Sequence, residues 1–266
     1  MRTSPFCVGT VAILDALGVK GIWARRDPWE VIESLEWLPT FAPDQVLGDP
    51  FNALTISDTT VITMKHGSSE ASPFEQMHAL GSYISGLSLI LASRNCPLAL
   101  RGSVSFGEYY QKGNVILGPA VDEAAANYES ANASMVWMTS SAHSAYQTSF
   151  PGRASVPQSN SSWIRTLVPL RGGRFVRTRA INWAKNAPFD HTAILNLIKG
   201  FDSPRSDVIE KRKHTVRFLA NCIFPSYINF VKEPERKSEF RERMQNIWTR
   251  SEIDHSDLGL FRELML

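Results

Sequence analysis

NALTISDTTVITMK, residues 52–65, holds two β-rich runs, 53–56 and 60–64, on either side of Ser57-Asp58-Thr59. Threonine, valine and isoleucine suit a pleated, half-buried surface, and a short polar break between two such runs predicts a β-hairpin. Upstream, FCVGTVAIL (6–14) is apolar and partly β-branched, bounded by Pro5 and Gly18, which predicts a buried strand ended by Asp15. Asp27-Pro28-Trp29-Glu30 predicts a helix start, with Asp27 as N-cap, Pro28 at the first helical position and Glu30 in the capping-box position. That helix should run to about Leu38, before Pro39. Downstream, Ser72-Pro73-Phe74-Glu75 repeats the start signal for a helix to about Ser93. PLALRGSVSFGEYYQ (97–111) follows as a strand, with Val104 and Phe106 alternating against Ser103 and Ser105. VILGPAVDEAAANYESANA (115–133) reads as a glycine turn and an Ala-rich helix, and SMVWMT (134–139) as another strand. The order β-α-β-β-α-β predicts an α+β, ferredoxin-like core, an antiparallel sheet with helices on one face.

Beyond this core, 142–162 is rich in Ser, Pro, Gly and Asn and reads as a surface loop, and RFVRTRAINWAK (174–185) as one more strand. From about Thr192 the pattern is helical, ending in the charged stretch 232–250. The expected division is an α+β domain over 1–186 and a helical C-terminal extension over 187–266, packed on the core or on a dimer interface. Lys plus Arg number 28 and Asp plus Glu 26, and the net charge of +2 gives no general drive toward nucleic acid or an anionic membrane. Cys7, Cys96 and Cys222 have no short spacings, which disfavours a disulfide framework or a CxxC metal site and fits a reducing cytoplasm. The longest apolar stretch, 77–92, falls short of the ~20 residues a spanning helix needs, and MRTSPFCVG lacks the apolar run of a signal peptide. Neither nucleic acid nor a membrane is therefore an expected partner.

Two carboxylates stand out: Asp15 after the first strand and Asp58 in the hairpin tip. In a ferredoxin-like order these strands are neighbours, so the two can sit side by side and bridge divalent cations, since Mg²⁺ and Mn²⁺ prefer hard oxygen ligands. Taken alone, each is an ordinary turn residue. Ala16, Leu17 and Gly18 enter a loop of small residues whose backbone N–H groups suit a polyphosphate. The six histidines show no HxxxH or HxE spacing, and Ser57 lacks the glycine frame of a nucleophile elbow. Arg171, Arg174, Arg177, Arg179 and Lys185 alternate as a strand with one cationic face, which is either a solvated face or a patch for phosphates or a partner.

The set ILDALG (13–18), ISDTTVI (56–62), LRGSVSFGEYY (100–110) and NVILGPAVDEAAANYESA (114–131) resembles the class III nucleotidyl cyclase catalytic domain over residues 10–138. Within that superfamily it is similar to the bacterial pyrimidine cyclases of the Pycsar anti-phage system. The resemblance implies Asp15 and Asp58 as ligands of a two-metal Mn²⁺ or Mg²⁺ site, and Ile13 or Leu14, Ala16, Leu17 and Gly18 as the phosphate loop. It implies attack of a ribose 3′-OH on the α-phosphate with loss of pyrophosphate, in a homodimer whose sites lie at the interface, and a cyclic product that activates a separate effector. Where purine cyclases carry a base-reading Lys or Glu, this chain has Leu54, and Phe51 is a candidate wall of a smaller pocket or an ordinary core aromatic. UTP is favoured over CTP as substrate. The family's Asn and transition-state Arg fall at Asp122 and Ala126, with Asn127 one residue on, so Arg101 or Lys185 is left to supply positive charge, Arg101 being favoured. The rivals are a purine cyclase and a cyclase-like domain that binds nucleotide or a partner without turnover.

Overall fold

The computed structural model describes residues 4–17, 22, 26–40, 45–67, 70–150, 161–184, 197–198, 201 and 205–223. Its strands are β1 (Cys7–Leu17), β2 (Gln45–Val46), β3 (Asp49–Ile56), β4 (Thr59–Lys65), β5 (Ala99–Lys112), β6 (Val115–Leu117), β7 (Val136–Met138), β8 (Trp163–Pro169) and β9 (Phe175–Ile181). The helices are α1 (Pro28–Thr40), α2 (Pro73–Ala92), α3 (Pro119–Asn127), α4 (Ser140–Thr148) and α5 (Ser206–Ile223). The strands form one sheet in the order β2-β3-β4-β1-β5-β7-β9-β8, with β6 paired to β5. Every pairing is antiparallel except β5 with β7, so the fold class is the expected α+β with an antiparallel-dominated sheet.

β1 lies in the middle of this sheet, between β4 and β5, and both of its faces are covered. Successive side chains point to opposite faces of a strand. Ala12, Leu14 and Ala16 accordingly join the main core with Met77, Leu80 and Ile84 of α2, while Val11 and Ile13 join a smaller cluster with Tyr109 and with Ala120 and Ala124 of α3. Helices therefore cover both faces rather than one. The alternating serines of β5 explain how α3 is held: Ser103 Oγ donates to Ala124 O at 2.8 Å and Ser105 Oγ to Ala120 O at 2.5 Å. A serine facing a helix backbone serves as well as an apolar residue when its hydroxyl is satisfied.

Local signals account for most elements. Ser72 and Glu75 form a complete capping box at the start of α2, and Asp27 Oδ1 accepts the Trp29 N–H at 2.8 Å at the start of α1. β1 runs on to Leu17, so Asp15 sits inside the strand and does not end it. The loop expected over 142–162 is corrected in its first part by α4. Ala142 and Tyr146, four residues apart, are buried, Tyr146 packs against Phe74 at 4.8 Å between ring centroids, and Glu123 of α3 takes the Ser141 N–H and hydroxyl at the helix start. Its serine-rich composition hides that i, i+4 pair. Residues 151–160 lie outside the described residues, and β6 and β8 are strands that the pattern reading did not single out.

At the C-terminal side, Phe218, Leu219 and Cys222 of α5 enter the main core, and Thr215 Oγ1 accepts the Ser134 N–H at 2.9 Å. The expected boundary near 186 and residues 224–266 lie outside the described residues. Among the described residues no helix is long and apolar enough to cross a membrane.

β1 and β5 approach closely at Gly102, where a Cβ would overlap the Ile13 carbonyl oxygen and crowd Leu14. Gly102→Ala is expected to lower unfolding free energy by about 1–3 kcal/mol, the usual range for overpacking. Urea denaturation checks this, and an unchanged midpoint would show that β1 and β5 can separate there without loss.

Candidate metal and nucleotide site

The site forms where the hairpin of β3 and β4 meets the end of β1. Register pairs Asp15 with Thr59 on one side and with Arg101 on the other. Asp58 immediately precedes Thr59 in the two-residue turn Ser57-Asp58, and the turn is stitched to β1 by the Ala16 N–H donating to Asp58 O at 2.9 Å. Ser57 takes the left-handed conformation at φ +60°, uncommon for a side chain other than Asn, Asp or Gly and consistent with a tight hairpin turn.

Asp15 is 7% exposed and Arg101 6%, and they form a buried ion pair. Arg101 Nε and Nη2 both donate to the same oxygen, Asp15 Oδ2, at 2.9 and 2.6 Å. The guanidinium also reaches Glu129, through Nη1 to the backbone oxygen at 3.3 Å and through Nη2 to Oε1 at 3.4 Å, and Glu129 Oε2 in turn meets Arg171 Nη1 at 3.3 Å. Burial pushes the Asp15 carboxyl above its ordinary range. Arg101 opposes that rise, while the charges of Asp58 and Glu129 add to it. The Tyr128 hydroxyl is pushed up as well, by burial first and then by Glu129 and Asp15.

Two neighbouring carboxylates, one of them crowded by the other's charge, are a donor set that suits a hard divalent cation. Among the described residues no group of three or more His, Cys, Asp and Glu forms a metal cage. Mg²⁺ is commonly held by one or two carboxylates, with substrate phosphates and water completing the shell. A metal shared with a phosphate ligand would be held here by Asp15 and Asp58.

The structure does not bring together every residue that the sequence suggests. Ile13, Leu14, Ala16 and Leu17 belong to β1 and pair with β5, Ile13 and Leu14 with β4 as well, so they form no loop, and the Ala16 N–H is engaged by Asp58. Ile13, Leu14 and Ala16 are also buried core side chains. Phe51 lies on the opposite face of the sheet, in the main core, its ring 5.0 Å from that of Tyr83. Leu54, half-buried, pairs with Val61 and so shares the face of Ile13 and Asp15. Asn127 turns its amide back to Glu123 O at 2.8 Å. Gly18 and Lys185 lie outside the described residues. Glu129, Tyr128 and Arg171 went unnoticed as site neighbours because they follow α3 and β8 without a periodic signal. They are placed by the backbone bonds Asn132 N–H to Pro169 O at 2.7 Å and Arg171 N–H to Ser130 O at 2.9 Å.

No protein-family model matches the chain, and neither does any curated protein. Among solved structures the chain is similar to the monomeric guanylyl cyclase domain of the RhoGC fusion protein from the aquatic fungus Blastocladiella emersonii, at 13% identity over 66% of this chain and 95% of that one, with a TM-score of 0.47. It is also similar to the guanylyl cyclase Cya2, at 14% identity over 66% and 91% of the two chains and a TM-score of 0.43. A third is the adenylyl cyclase CyaB from P. aeruginosa, at 12% identity over 68% and 96% and a TM-score of 0.41. With identities this low, what the site does depends on its own side chains.

Removing one partner of a buried ion pair strands the other charge, typically at a loss of about 3–5 kcal/mol. Arg101→Met is expected to fall in that range in urea unfolding, and the double variant Asp15→Asn with Arg101→Met to recover most of it. A single-variant loss below about 1 kcal/mol would mean that the pair is solvated and not buried.

Proposed function

We propose that the chain is a nucleotidyl cyclase that converts a pyrimidine nucleoside triphosphate, UTP before CTP, into its 3′,5′-cyclic monophosphate and pyrophosphate. The observation that carries this reading is the register of β1 and β4, which sets Asp15 against the hairpin tip that bears Asp58, with Arg101 at the same end of the sheet. In the reaction a bond forms between the ribose 3′-oxygen and the α-phosphorus, the bond from that phosphorus to the pyrophosphate oxygen breaks, and the 3′-hydroxyl proton leaves. A bound Mg²⁺ or Mn²⁺ would supply charge neutralisation on the attacking and leaving oxygens. Asp15 and Asp58 would hold that cation, Asp15 being steadied by its strand neighbours on both sides.

Arg101 has a second task open to it. Its guanidinium is shared between Asp15 and Glu129, and Glu129 is itself paired with Arg171, so two guanidinium groups stand at this end of the sheet, and a triphosphate bound there would compete with the carboxylates for them. Leu54 presents no hydrogen-bonding group on this face, so the edge reader that the resemblance implies for a purine cyclase is missing at this position, which favours a pyrimidine. Next to Asp58, Ile56 is 66% exposed, which leaves this part of the sheet open to a second copy of the chain. That supports a homodimer, and by the same resemblance the cyclic product would act on a separate effector in defence against phage. A nucleotide-binding domain without turnover is the second reading, favoured by Ala126 in the transition-state position and by the engagement of Arg101 with Asp15.

Incubation with each of the four nucleoside triphosphates and Mn²⁺, with products identified by mass spectrometry, separates these readings. Cyclic UMP or cyclic CMP is expected, with at least a hundredfold loss in Asp58→Ala. A purine product would refute the pyrimidine assignment, and no cyclic product would leave the non-catalytic reading.

A further inference from the structure

The strands β8 and β9 carry a cluster of positive charge that the carboxylate site does not use. Their register sets Arg165 directly opposite Arg179, a pair of like charges about 4.5–5.5 Å apart at Cβ, which is destabilising in a sheet. Arg177, two residues from Arg179, shares its face of the strand. Among the described residues no ion pair joins Arg165, Arg177 or Arg179 to an Asp or Glu. Arg165 and Arg177 are exposed and Arg179 is half-buried.

Arg179 is also aimed. Its guanidinium carbon lies 4.6 Å from the centre of the Tyr146 ring on α4, a cation–π stack that fixes the plane of the fork, and its Nε is buried with no hydrogen-bond partner. Burial pulls the Arg179 guanidinium below its ordinary value, and Arg165 pulls the same way. His143 completes the surroundings without answering the charge. Thr178 Oγ1 gives its proton to Met138 O at 2.8 Å and stands 3.2 Å from His143 Nδ1, so that nitrogen is the donor. Burial, then Arg179 and Arg165, hold this imidazole below its usual value, so it adds no cation at neutral pH.

Two adjacent guanidinium groups, one stacked and one free to swing, match the oxygens of a phosphate better than a single carboxylate, because a phosphate dianion neutralises both and accepts several N–H bonds at once. We propose that Arg165 and Arg179, backed by Tyr146, form an anion site that takes the phosphate group of a small ligand, separate in sequence and in strand pairing from the Asp15 and Asp58 site. The chemistry is shared by free phosphate and by the phosphate of a nucleotide.

The test is calorimetric titration of the full chain, in EDTA and at fixed ionic strength, with inorganic phosphate and with uridine 5′-monophosphate. Binding is expected for at least one probe, with at least a tenfold loss of affinity in both Arg165→Met and Arg179→Met. Equal affinities assign the site to free phosphate, and a clear preference for the nucleotide assigns it to nucleotides. Arg165 is exposed, so its variant is expected to keep its fold and, in chloride alone, to melt no lower than the parent, since a repulsion has been removed. No binding by either probe, or unchanged affinity in the variants, would overturn the proposal. A drop of several degrees in the Arg165→Met melting temperature would also overturn it, because the arginine would then be held by a carboxylate of the chain.

Discussion

The ion pair of Asp15 with Arg101 is the constraint on which the site depends. Both residues are buried in the centre of a sheet, each on a strand paired on both sides, and Asp15 takes two N–H bonds from Arg101, whose guanidinium also reaches Glu129. A buried pair gains little stability over an apolar substitute, but it tolerates only one register. A slip of one residue between β1 and β5 would send every side chain of β1 to the other face and leave Arg101 without its carboxylate. The same register places Asp58 beside Asp15, because the hairpin of β3 and β4 is fixed to β1 by the Ala16 to Asp58 bond.

From that arrangement the two faces of the sheet take different work. The α2 face is a large apolar core in which Phe51, Met64 and Leu14 pack, and it supplies rigidity. The α3 face combines a small apolar cluster with serines bonded to the helix backbone, and it opens at one end into the carboxylates, Arg101, Tyr128 and Glu129. Polar residues thus gather where the covering helix stops. A site built on strand positions of this kind is held more precisely than one built on a loop.

Much of this was legible in the order of residues. The hairpin around Asp58, the apolar first strand and the capped α2 each follow from local chemistry, and together they implied that Asp15 and Asp58 meet. What stayed hidden needs cross-strand register. The partnership of Arg101 with Asp15 spans 86 positions and leaves no periodic trace. Phe51 and Leu54, three apart on one strand, face opposite ways, and the pairing with Met64 and Val61 shows which face each takes. The helix α4 was masked by serines that solvate its ends while Ala142 and Tyr146 pack inward. Of the phosphate loop expected over 13–18, residues 13–17 are strand because β5 extends far enough to pair with all of them, and Gly18 lies outside the described residues.

We propose that Asp15 and Asp58 jointly hold a divalent cation. Anomalous diffraction at the manganese edge, from crystals of the full chain soaked in Mn²⁺ with a nucleoside triphosphate, tests it most directly. A peak within coordinating distance of both carboxylates, absent in Asp58→Ala crystals, is the predicted result. Manganese bound only elsewhere, or no peak beside Asp15 with nucleotide present, would contradict it.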